Sequence, residues 1–256
     1  MPGSQLLNSV RTELKTKHYS KRTEQAYLSW IKRYIFFHGK KHPAEMGQKE
    51  IKEFLNHLAV KGNVASSTQN QALHGILFLY KNILNKDIGW IENIKKVSRV
   101  KHLPVVLNKE EIRRIFENLD GIVLLVSKLL YGSGMRLGEC IKIRVQDLDL
   151  ELRTITIRDG KGEKDRITIL PDKLTEAIER QIEKVKNLHR LDLRKGNVEA
   201  PMPYALSKKY PNAGKEIGWQ YLFPAKSLGY NSELKKYFRV HLHPSTYQKE
   251  FKKSVR

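Results

Sequence analysis

The hydrophobic periodicity of this chain changes once along its length, and the change restricts the fold more than any other feature. Through residue 90, apolar residues recur at helical spacing. After residue 106 helical segments continue, but residues 154–158 and 166–169 alternate between apolar and polar as strands do, with a glycine-rich turn between them. The sequence therefore predicts an α+β fold that is mostly α, with a helical domain followed by a domain that contains a small antiparallel sheet.

The helical domain is predicted to span residues 1–90 and to contain four short helices. Ser20 is the expected N-cap of the second helix, and Ser66 or Ser67 that of the fourth, because a serine oxygen accepts hydrogen bonds from the free N–H groups of a first turn. The aromatic stripe around Trp30 is expected to form core rather than a surface for stacking bases.

The charge of the chain points to a polyanionic partner. It has 48 Lys and Arg against 27 Asp and Glu, a formal net charge of +21. The first 90 residues hold 14 basic and 6 acidic side chains and the remainder 34 and 21, so both halves share the excess. This distribution favours a protein that contacts a polyanion through both domains, with nucleic acid as the first candidate and an anionic membrane surface as the second.

A basic linker is predicted at residues 91–106, which Pro104 interrupts. Such a segment is either solvated or lies along phosphate groups. Its candidate phosphate contacts are Lys95, Lys96, Arg99 and Lys101. The second domain is then predicted to span residues 107–256.

Several other classes of protein are excluded. The longest strongly apolar stretch, residues 122–126, is too short to cross a bilayer, and the N-terminal residues lack the pattern of a secretory signal. The single cysteine, Cys140, forms neither an intramolecular disulfide nor a cysteine-rich zinc site, and it is expected to be inert packing. These features predict a soluble intracellular protein.

Arg136 is the first candidate for chemistry. It follows the Gly-Ser-Gly turn at residues 132–134 and begins a predicted apolar helix over residues 135–141, where free N–H groups and the helix dipole favour an anion. Its guanidinium would bind a phosphate through two hydrogen bonds. The alternative is an ion pair with Glu139, and the two interpretations are compatible because Glu139 can orient Arg136.

Lys161 is the second candidate, in the predicted hairpin turn between Gly160 and Gly162. The glycines allow the backbone to approach a ligand closely, and a lysine there could protonate a leaving oxygen. The alternative is a solubilising turn lysine, which is the commoner role.

The two candidate segments resemble a known catalytic domain. Residues 131–139, Tyr-Gly-Ser-Gly-Met-Arg-Leu-Gly-Glu, and residues 160–166, Gly-Lys-Gly-Glu-Lys-Asp-Arg, resemble the tyrosine recombinases. Three further segments are similar to integron integrases: residues 20–38 to the N-terminal core-binding helix, residues 206–224 to an insertion that marks this group, and residues 239–245 to the segment after it. The resemblance covers essentially the entire chain. It implies a SAM-like core-binding domain and a catalytic domain with the insertion at about residues 190–225.

The resemblance implies a mechanism and also a gap in it. In the family, a tyrosine attacks a DNA phosphodiester and forms a 3′-phosphotyrosyl link, assisted by an arginine, a lysine, a His-x-x-Arg box and a second histidine. Neither ATP nor a metal is implied. Arg136 and Lys161 match the first two residues, with Glu139 as support. The other residues have no counterpart before the chain ends at Arg256, so the chain is predicted to be C-terminally truncated and to bind DNA without cleaving it alone.

Tyr247 is the local alternative for the missing nucleophile, four residues after His243. In the family order it belongs to the segment that precedes the His-x-x-Arg box, which argues against this role.

The resemblance further implies binding to duplex attachment sites and to folded single-stranded sites, whose extrahelical bases stack on aromatic and imidazole rings. Trp219 and His241 match best, whereas Val240 stands where many relatives have another histidine. The alternative for Trp219 is an ordinary core position. The predicted DNA contacts are Lys95, Lys96, Arg99, Lys101, Lys164, Arg166, Trp219, Arg239, His241 and His243.

Two other functions fit parts of the sequence. One is a non-catalytic DNA-binding protein that occupies recombination sites. The other is a basic RNA-binding protein, which the composition allows and the motifs disfavour. The resemblance also implies a mobile genetic element as the source, a multimer on DNA, no cofactor, no membrane partner, and a cytoplasmic, nucleoid-associated location in a bacterium.

Overall fold

The structure, a computed structural model, describes residues 5–89, 105–158, 165–196, 198–203, 206–232 and 234–255. Six of the predicted site residues lie outside the described residues, so their roles remain predictions: Lys95, Lys96, Arg99, Lys101, Lys161 and Lys164. The chain divides into two compact units, Met1–Pro104 and Val105–Arg256.

The described part of the N-terminal unit contains four α-helices, because its apolar residues form stripes at helical spacing. They are α1 (Gln5–Thr16), α2 (Lys21–Phe37), α3 (Gln48–Val60) and α4 (Ser66–Asn82). Ser20 caps α2 as predicted, and its side-chain oxygen accepts a hydrogen bond from the backbone N–H of Thr23 at 3.2 Å. The predicted serine cap of α4 is wrong. Ala65 occupies the N-cap position and Ser66 is already helical, so no side chain caps this end.

The aromatic stripe around Trp30 in α2 contributes to the core, as predicted. Trp30 is 7% exposed and Tyr34 is fully buried. The Tyr34 hydroxyl lies 3.0 Å from the hydroxyl of Tyr80 in α4, which donates to the Pro43 carbonyl at 3.0 Å. Since buried hydroxyl groups without partners are costly, this series of hydrogen bonds allows two tyrosines to occupy the centre of the unit.

The described part of the C-terminal unit combines helices with two small antiparallel sheets. The helices are α5 (Lys109–Glu117), α6 (Gly121–Ser133), α7 (Leu137–Cys140), α8 (Thr175–Arg194), α9 (Leu206–Lys209) and α10 (Pro244–Ser254). One sheet has the strand order β1 (Leu148–Asp149), β2 (Thr154–Ile157) and β3 (Arg166–Ile169). The other pairs β4 (Gly229–Asn231) with β5 (Lys236–Phe238). The predicted hairpin corresponds to β2 and β3.

One face of β2 contributes to the core of the C-terminal unit. Ile155 is fully buried and Ile157 is 3% exposed, and they share one hydrophobic cluster with Leu129 of α6, Ile178 of α8 and Phe223. Through this cluster the sheet packs against the same core as α6, the helix that precedes the candidate arginine, and the long helix α8. In the described part of the chain, no helix is long and apolar enough to span a membrane.

Candidate active site

Arg136 lies at a sharp turn between α6 and α7. Gly134 follows α6 with a φ of 66°, a left-handed conformation that glycine adopts without strain, and its N–H donates to the Leu130 carbonyl at 3.0 Å. Arg136 is the N-cap residue of α7, which has only four residues. The helix predicted over residues 135–141 is therefore too long, and a helix this short contributes little dipole to an anion site. The attraction for an anion here comes from side-chain charge.

Glu139 joins two arginines into one cluster. Its Oε2 accepts from the backbone N–H of Arg136 at 2.8 Å, and its Oε1 accepts from Nη1 of the Arg136 side chain at 2.8 Å. The guanidinium of Arg166, the first residue of β3, donates to both oxygens at 3.0 and 2.8 Å. These three residues are called the arginine cluster below. The Arg136–Glu139 ion pair orients Arg136 without covering it, since the arginine side chain is 62% exposed.

The carboxylate of the arginine cluster is held in its charged form. Hydrogen bonds from Arg166 are the main cause that lowers the pKa of Glu139 to about 2; burial opposes them, and hydrogen bonds from Arg136 reinforce them. One negative charge meets two positive charges, so the cluster keeps a net charge of about +1 near neutral pH. The exposed Arg136 guanidinium makes that charge accessible to a phosphate.

The stability contributed by Glu139 is expected to fall at acidic pH. Because its pKa is lowered from 4.5 to about 2 on folding, the contribution is complete above pH 4.5 and is lost as the pH falls toward 2. At pH 7, Glu139→Gln is expected to lower the free energy of unfolding by about 2 kcal/mol. Urea unfolding of both proteins at several pH values should show this difference shrinking below pH 4.5. Other carboxylates titrate in both proteins and cancel, so a difference that stays constant down to pH 3 would contradict the prediction.

A cavity of about 620 Å³ lies beside the arginine cluster. Its walls carry four basic side chains, two acidic ones and two aromatic rings: Arg136, Lys142, Arg144 and Arg158; Glu139 and Asp147; Trp219 and Tyr221. Both acidic groups are engaged, since Glu139 binds the two arginines of the cluster and Asp147 accepts from Nε of Arg158 at 2.7 Å. The cavity combines excess positive charge with aromatic surface, which suits a nucleotide phosphate and its base.

Arg144, which the sequence analysis missed, holds Trp219 and its segment in place. It is 7% exposed, and its guanidinium donates to the carbonyl groups of Trp219 and Pro201 at 2.5 and 2.8 Å. The guanidinium carbon lies 4.4 Å from the ring centre of Tyr221 and 5.4 Å from that of Trp219, in cation–π contact. Trp219 is half-buried and lines the cavity, so it is not an ordinary core residue.

The two histidines after the insertion have different environments. His241 is half-buried with its ring edge-on to Tyr221 at 5.2 Å. Burial is the main cause that lowers the pKa of His241, and the charge of Lys142 acts in the same direction. A neutral imidazole suits stacking on a base better than binding a phosphate. His243 is exposed and caps α10, where its Nδ1 accepts from the backbone N–H of Ser245 at 3.2 Å.

Arg239 is not exposed to DNA, contrary to its prediction as a contact. Its guanidinium is buried and pairs with Asp192 of α8, with Nε 2.7 Å from Oδ2 and Nη2 2.5 Å from Oδ1. Its Nη1 donates to the carbonyl groups of Ala225 and Lys226, both at 2.9 Å. All three guanidinium nitrogens therefore have hydrogen-bond partners within the unit. Removal of Asp192 would leave an unpaired buried charge. Arg239 is a structural residue that anchors the end of β5 to α8.

Tyr247 is buried in the core, which agrees with the sequence argument against a nucleophilic role. Its hydroxyl lies 2.7 Å from Oγ of Ser127 in α6. Ser127 donates its own proton to the Val123 carbonyl at 2.7 Å, so the Tyr247 hydroxyl is the donor in this contact. Burial raises the pKa of Tyr247, which further disfavours the phenolate that an attack on phosphorus would require.

Cys140 is fully buried, and burial raises the pKa of its thiol to about 12, so its side chain is packing material as predicted. No group of three His, Cys, Asp or Glu side chains that could hold a metal ion occurs among the described residues.

The two units match models of one protein family. Residues 6–90 match the family model of the phage integrase N-terminal SAM-like domain, and residues 105–256 match that of the phage integrase family. The chain belongs to the phage integrase family. The predicted fold class is confirmed: a helical SAM-like domain followed by a tyrosine recombinase catalytic domain with small antiparallel sheets.

Several similar proteins are named as recombinases. The chain is 38% identical over 250 residues to proteins named integrase/recombinase from Escherichia coli and from Pseudomonas aeruginosa, which covers 98% of this chain and 74% of each relative. It is 27% identical over 188 residues to tyrosine recombinase XerA of Thermococcus kodakarensis, which covers 70% of this chain and 62% of XerA.

Two solved structures share the fold. One is the XerH site-specific recombinase bound to a palindromic difH substrate, with a TM-score of 0.52 and 20% identity over 70% of this chain and 57% of that one. The other is the Tn1549 transposon integrase in complex with transposon right end DNA, with a TM-score of 0.54 and 14% identity over 87% of this chain and 72% of that one.

Proposed function

We propose that this chain acts in site-specific DNA recombination of the integron type, where it binds attachment sites and activates a phosphodiester for strand exchange. The observation that carries the proposal is the arginine cluster, in which a charged carboxylate orients an exposed guanidinium at the wall of a basic cavity. Membership of the phage integrase family supports the reaction class and argues against the RNA-binding alternative. XerH and the Tn1549 integrase were both solved with DNA, which supports DNA as the partner.

In the proposed reaction, Arg136 binds a non-bridging oxygen of the scissile phosphate and neutralises the charge that builds there. Lys161 donates a proton to the departing 5′ oxygen. Lys161 lies between β2 and β3 in the sequence, and Arg166 at the start of β3 is bound to the carboxylate that orients Arg136. This connection supports the proposal that both residues act on one phosphate.

The nucleophile is a separate requirement. Residues 1–256 contain no His-x-x-Arg box, and Tyr247 is buried. We therefore propose that a protein of these 256 residues binds DNA and polarises a phosphate without forming a covalent link. A non-catalytic protein that only occupies recombination sites is the second candidate, and such a protein would not need an oriented Arg136.

The proposed DNA contacts are fewer than the sequence indicated. Arg166, Trp219, His241 and His243 remain, whereas Arg239 is excluded because its guanidinium is buried. The basic residues outside the described residues are retained on the basis of their charge: Lys95, Lys96, Arg99, Lys101 and Lys164.

Trp219 is expected to distinguish folded single-stranded DNA from duplex DNA. Trp219→Ala should weaken binding to a hairpin with extrahelical bases by about 10-fold, because stacking one base on an aromatic ring contributes roughly 1–3 kcal/mol. Binding to the same sequence as a perfect duplex should change by less than about 2-fold. Fluorescence anisotropy titrations with both DNAs measure the difference.

The control for this experiment is Trp219→Phe, which keeps an aromatic ring and should retain the preference for the hairpin. Equal losses on hairpin and duplex in Trp219→Ala would identify Trp219 as a structural residue and would remove the support for the integron type. General DNA binding by the chain would be unaffected by that result.

A further inference from the structure

The hairpin of β4 and β5 presents two aromatic rings to solvent. Tyr230 and Tyr237 lie directly opposite each other in the antiparallel register, with ring centres 4.9 Å apart. Each tyrosine is 57% exposed. A cross-strand pair of tyrosines helps to stabilise a hairpin, but rings left this exposed gain little from burial in the chain itself. The pair therefore offers a flat aromatic surface that the fold does not cover.

The hairpin is anchored through its other residues. Gly229 and Phe238 form the next pair in the register, and their side-chain positions point to the opposite face because strand residues alternate. Directly after β5, the backbone N–H of Arg239 donates to the Glu199 carbonyl at 2.9 Å, and the guanidinium of Arg239 is paired with Asp192. The strand that carries Tyr237 is thus held to the rest of the unit. A ligand that covers the two rings therefore loses little conformational entropy in the protein on binding.

The surroundings of the tyrosine pair are basic. Residues 226–237 contain three lysines and one acidic residue. Lys226 and Lys235 are exposed and supply the positive charge, whereas the charge of Lys236 is offset by the Glu199 carboxylate 3.3 Å away. Exposed aromatic rings among positive charges complement single-stranded nucleic acid, in which bases stack and phosphates carry the negative charge. A partner protein with an apolar surface would gain nothing from these lysines.

We propose that Tyr230 and Tyr237 form a stacking platform for an unpaired DNA base, apart from the cavity that contains Arg136 and Trp219. Neither tyrosine lines that cavity. The platform rests on the proposed function for its DNA partner, and it adds a second surface for bases to that function. The two tyrosines are seven residues apart in the sequence, and the pairing of β4 with β5 brings them together.

Photo-cross-linking of the full chain tests the platform directly. A folded single-stranded DNA that carries 5-iodouracil at its unpaired positions is irradiated with the protein, and the cross-linked tryptic peptides are identified by mass spectrometry. The expected adducts are on Tyr230 or Tyr237. The double variant Tyr230→Val with Tyr237→Val should lose these adducts and bind the DNA about 10-fold more weakly.

Two further variants make the result specific. The double variant Tyr230→Phe with Tyr237→Phe keeps both rings and should bind within about 2-fold of the parent chain. Leu152→Ala removes an apolar side chain that is 74% exposed elsewhere in the same unit, and it should leave binding unchanged. Valine is β-branched and suits strand positions, and thermal unfolding checks that the valine variant is folded. If that variant unfolds, the positions of the cross-links in the parent chain decide whether Tyr230 and Tyr237 contact DNA.

The remaining outcomes separate the platform from the function on which it rests. If the parent chain does not bind DNA, both the platform and the proposed function are overturned. Unchanged affinity of the valine variant, with adducts only at other residues, would overturn the platform and leave the proposed function standing. If the valine substitutions instead abolish self-association of the free protein in analytical ultracentrifugation and leave DNA affinity unchanged, the tyrosine pair is a protein interface and the platform is overturned.

Discussion

DNA binding by this chain is expected to weaken by about 1,000-fold when the salt concentration rises from 50 to 200 mM. Each phosphate that a basic side chain neutralises releases condensed counterions, and added salt opposes that release. The net charge of +21, shared by both halves of the sequence, provides for many such contacts. Filter binding or anisotropy with a duplex of any sequence gives the slope of log affinity against log salt.

The predicted linker accounts for part of this slope. Replacing its four basic residues with glutamine should reduce the slope by about 3.6 if each contacts a phosphate: Lys95→Gln, Lys96→Gln, Arg99→Gln and Lys101→Gln. Affinity that does not change between low and physiological salt would contradict an electrostatic mode of binding altogether. An unchanged slope in the glutamine variant alone would mean that the linker is solvated.

No covalent protein–DNA adduct is expected when the 256-residue chain meets a suicide attachment-site substrate. Arg136 and Lys161 can bind and protonate groups at a phosphate, but covalent catalysis needs a positioned nucleophile. Denaturing gels with labelled DNA detect such an adduct. An adduct that disappears with Tyr247→Phe would contradict this prediction and would assign the nucleophile to Tyr247.

In an extended chain that carries a His-x-x-Arg box and a terminal tyrosine, Arg136→Ala should reduce adduct formation by about 1,000-fold, as loss of a group that stabilises transition-state charge does. Arg136→Lys should be nearly as inactive, because lysine lacks the two-pronged donor. Arg153→Ala is the matched control, since Arg153 is 59% exposed and paired with Asp172 in the same unit. Full activity of Arg136→Ala would overturn the proposed role of Arg136 in stabilising charge on the scissile phosphate.

Features that depend on neighbouring residues could be predicted from the sequence. Asn108 and Glu111 form a capping box at the start of α5, with reciprocal hydrogen bonds of 2.9 and 2.7 Å, and their spacing of three residues is typical of this motif. Ser20 caps α2, and Arg136 pairs with Glu139, again three residues apart. These contacts follow from the geometry of a first helical turn, which brings residues at this spacing together whatever the rest of the chain does. The helical and strand periodicities were local signals of the same kind.

Ion pairs between residues that are distant in the sequence could be identified only from the tertiary structure. Arg166 reaches Glu139 across 27 residues, and Arg239 reaches Asp192 across 47. The prediction of Arg239 as a DNA contact was wrong, and Arg144 was missed, for the same reason. An arginine has the same charge in the sequence whether packing later buries it against a carboxylate or leaves it in solvent. Burial and partner depend on which helices and strands pack together, and no local pattern of residues records that.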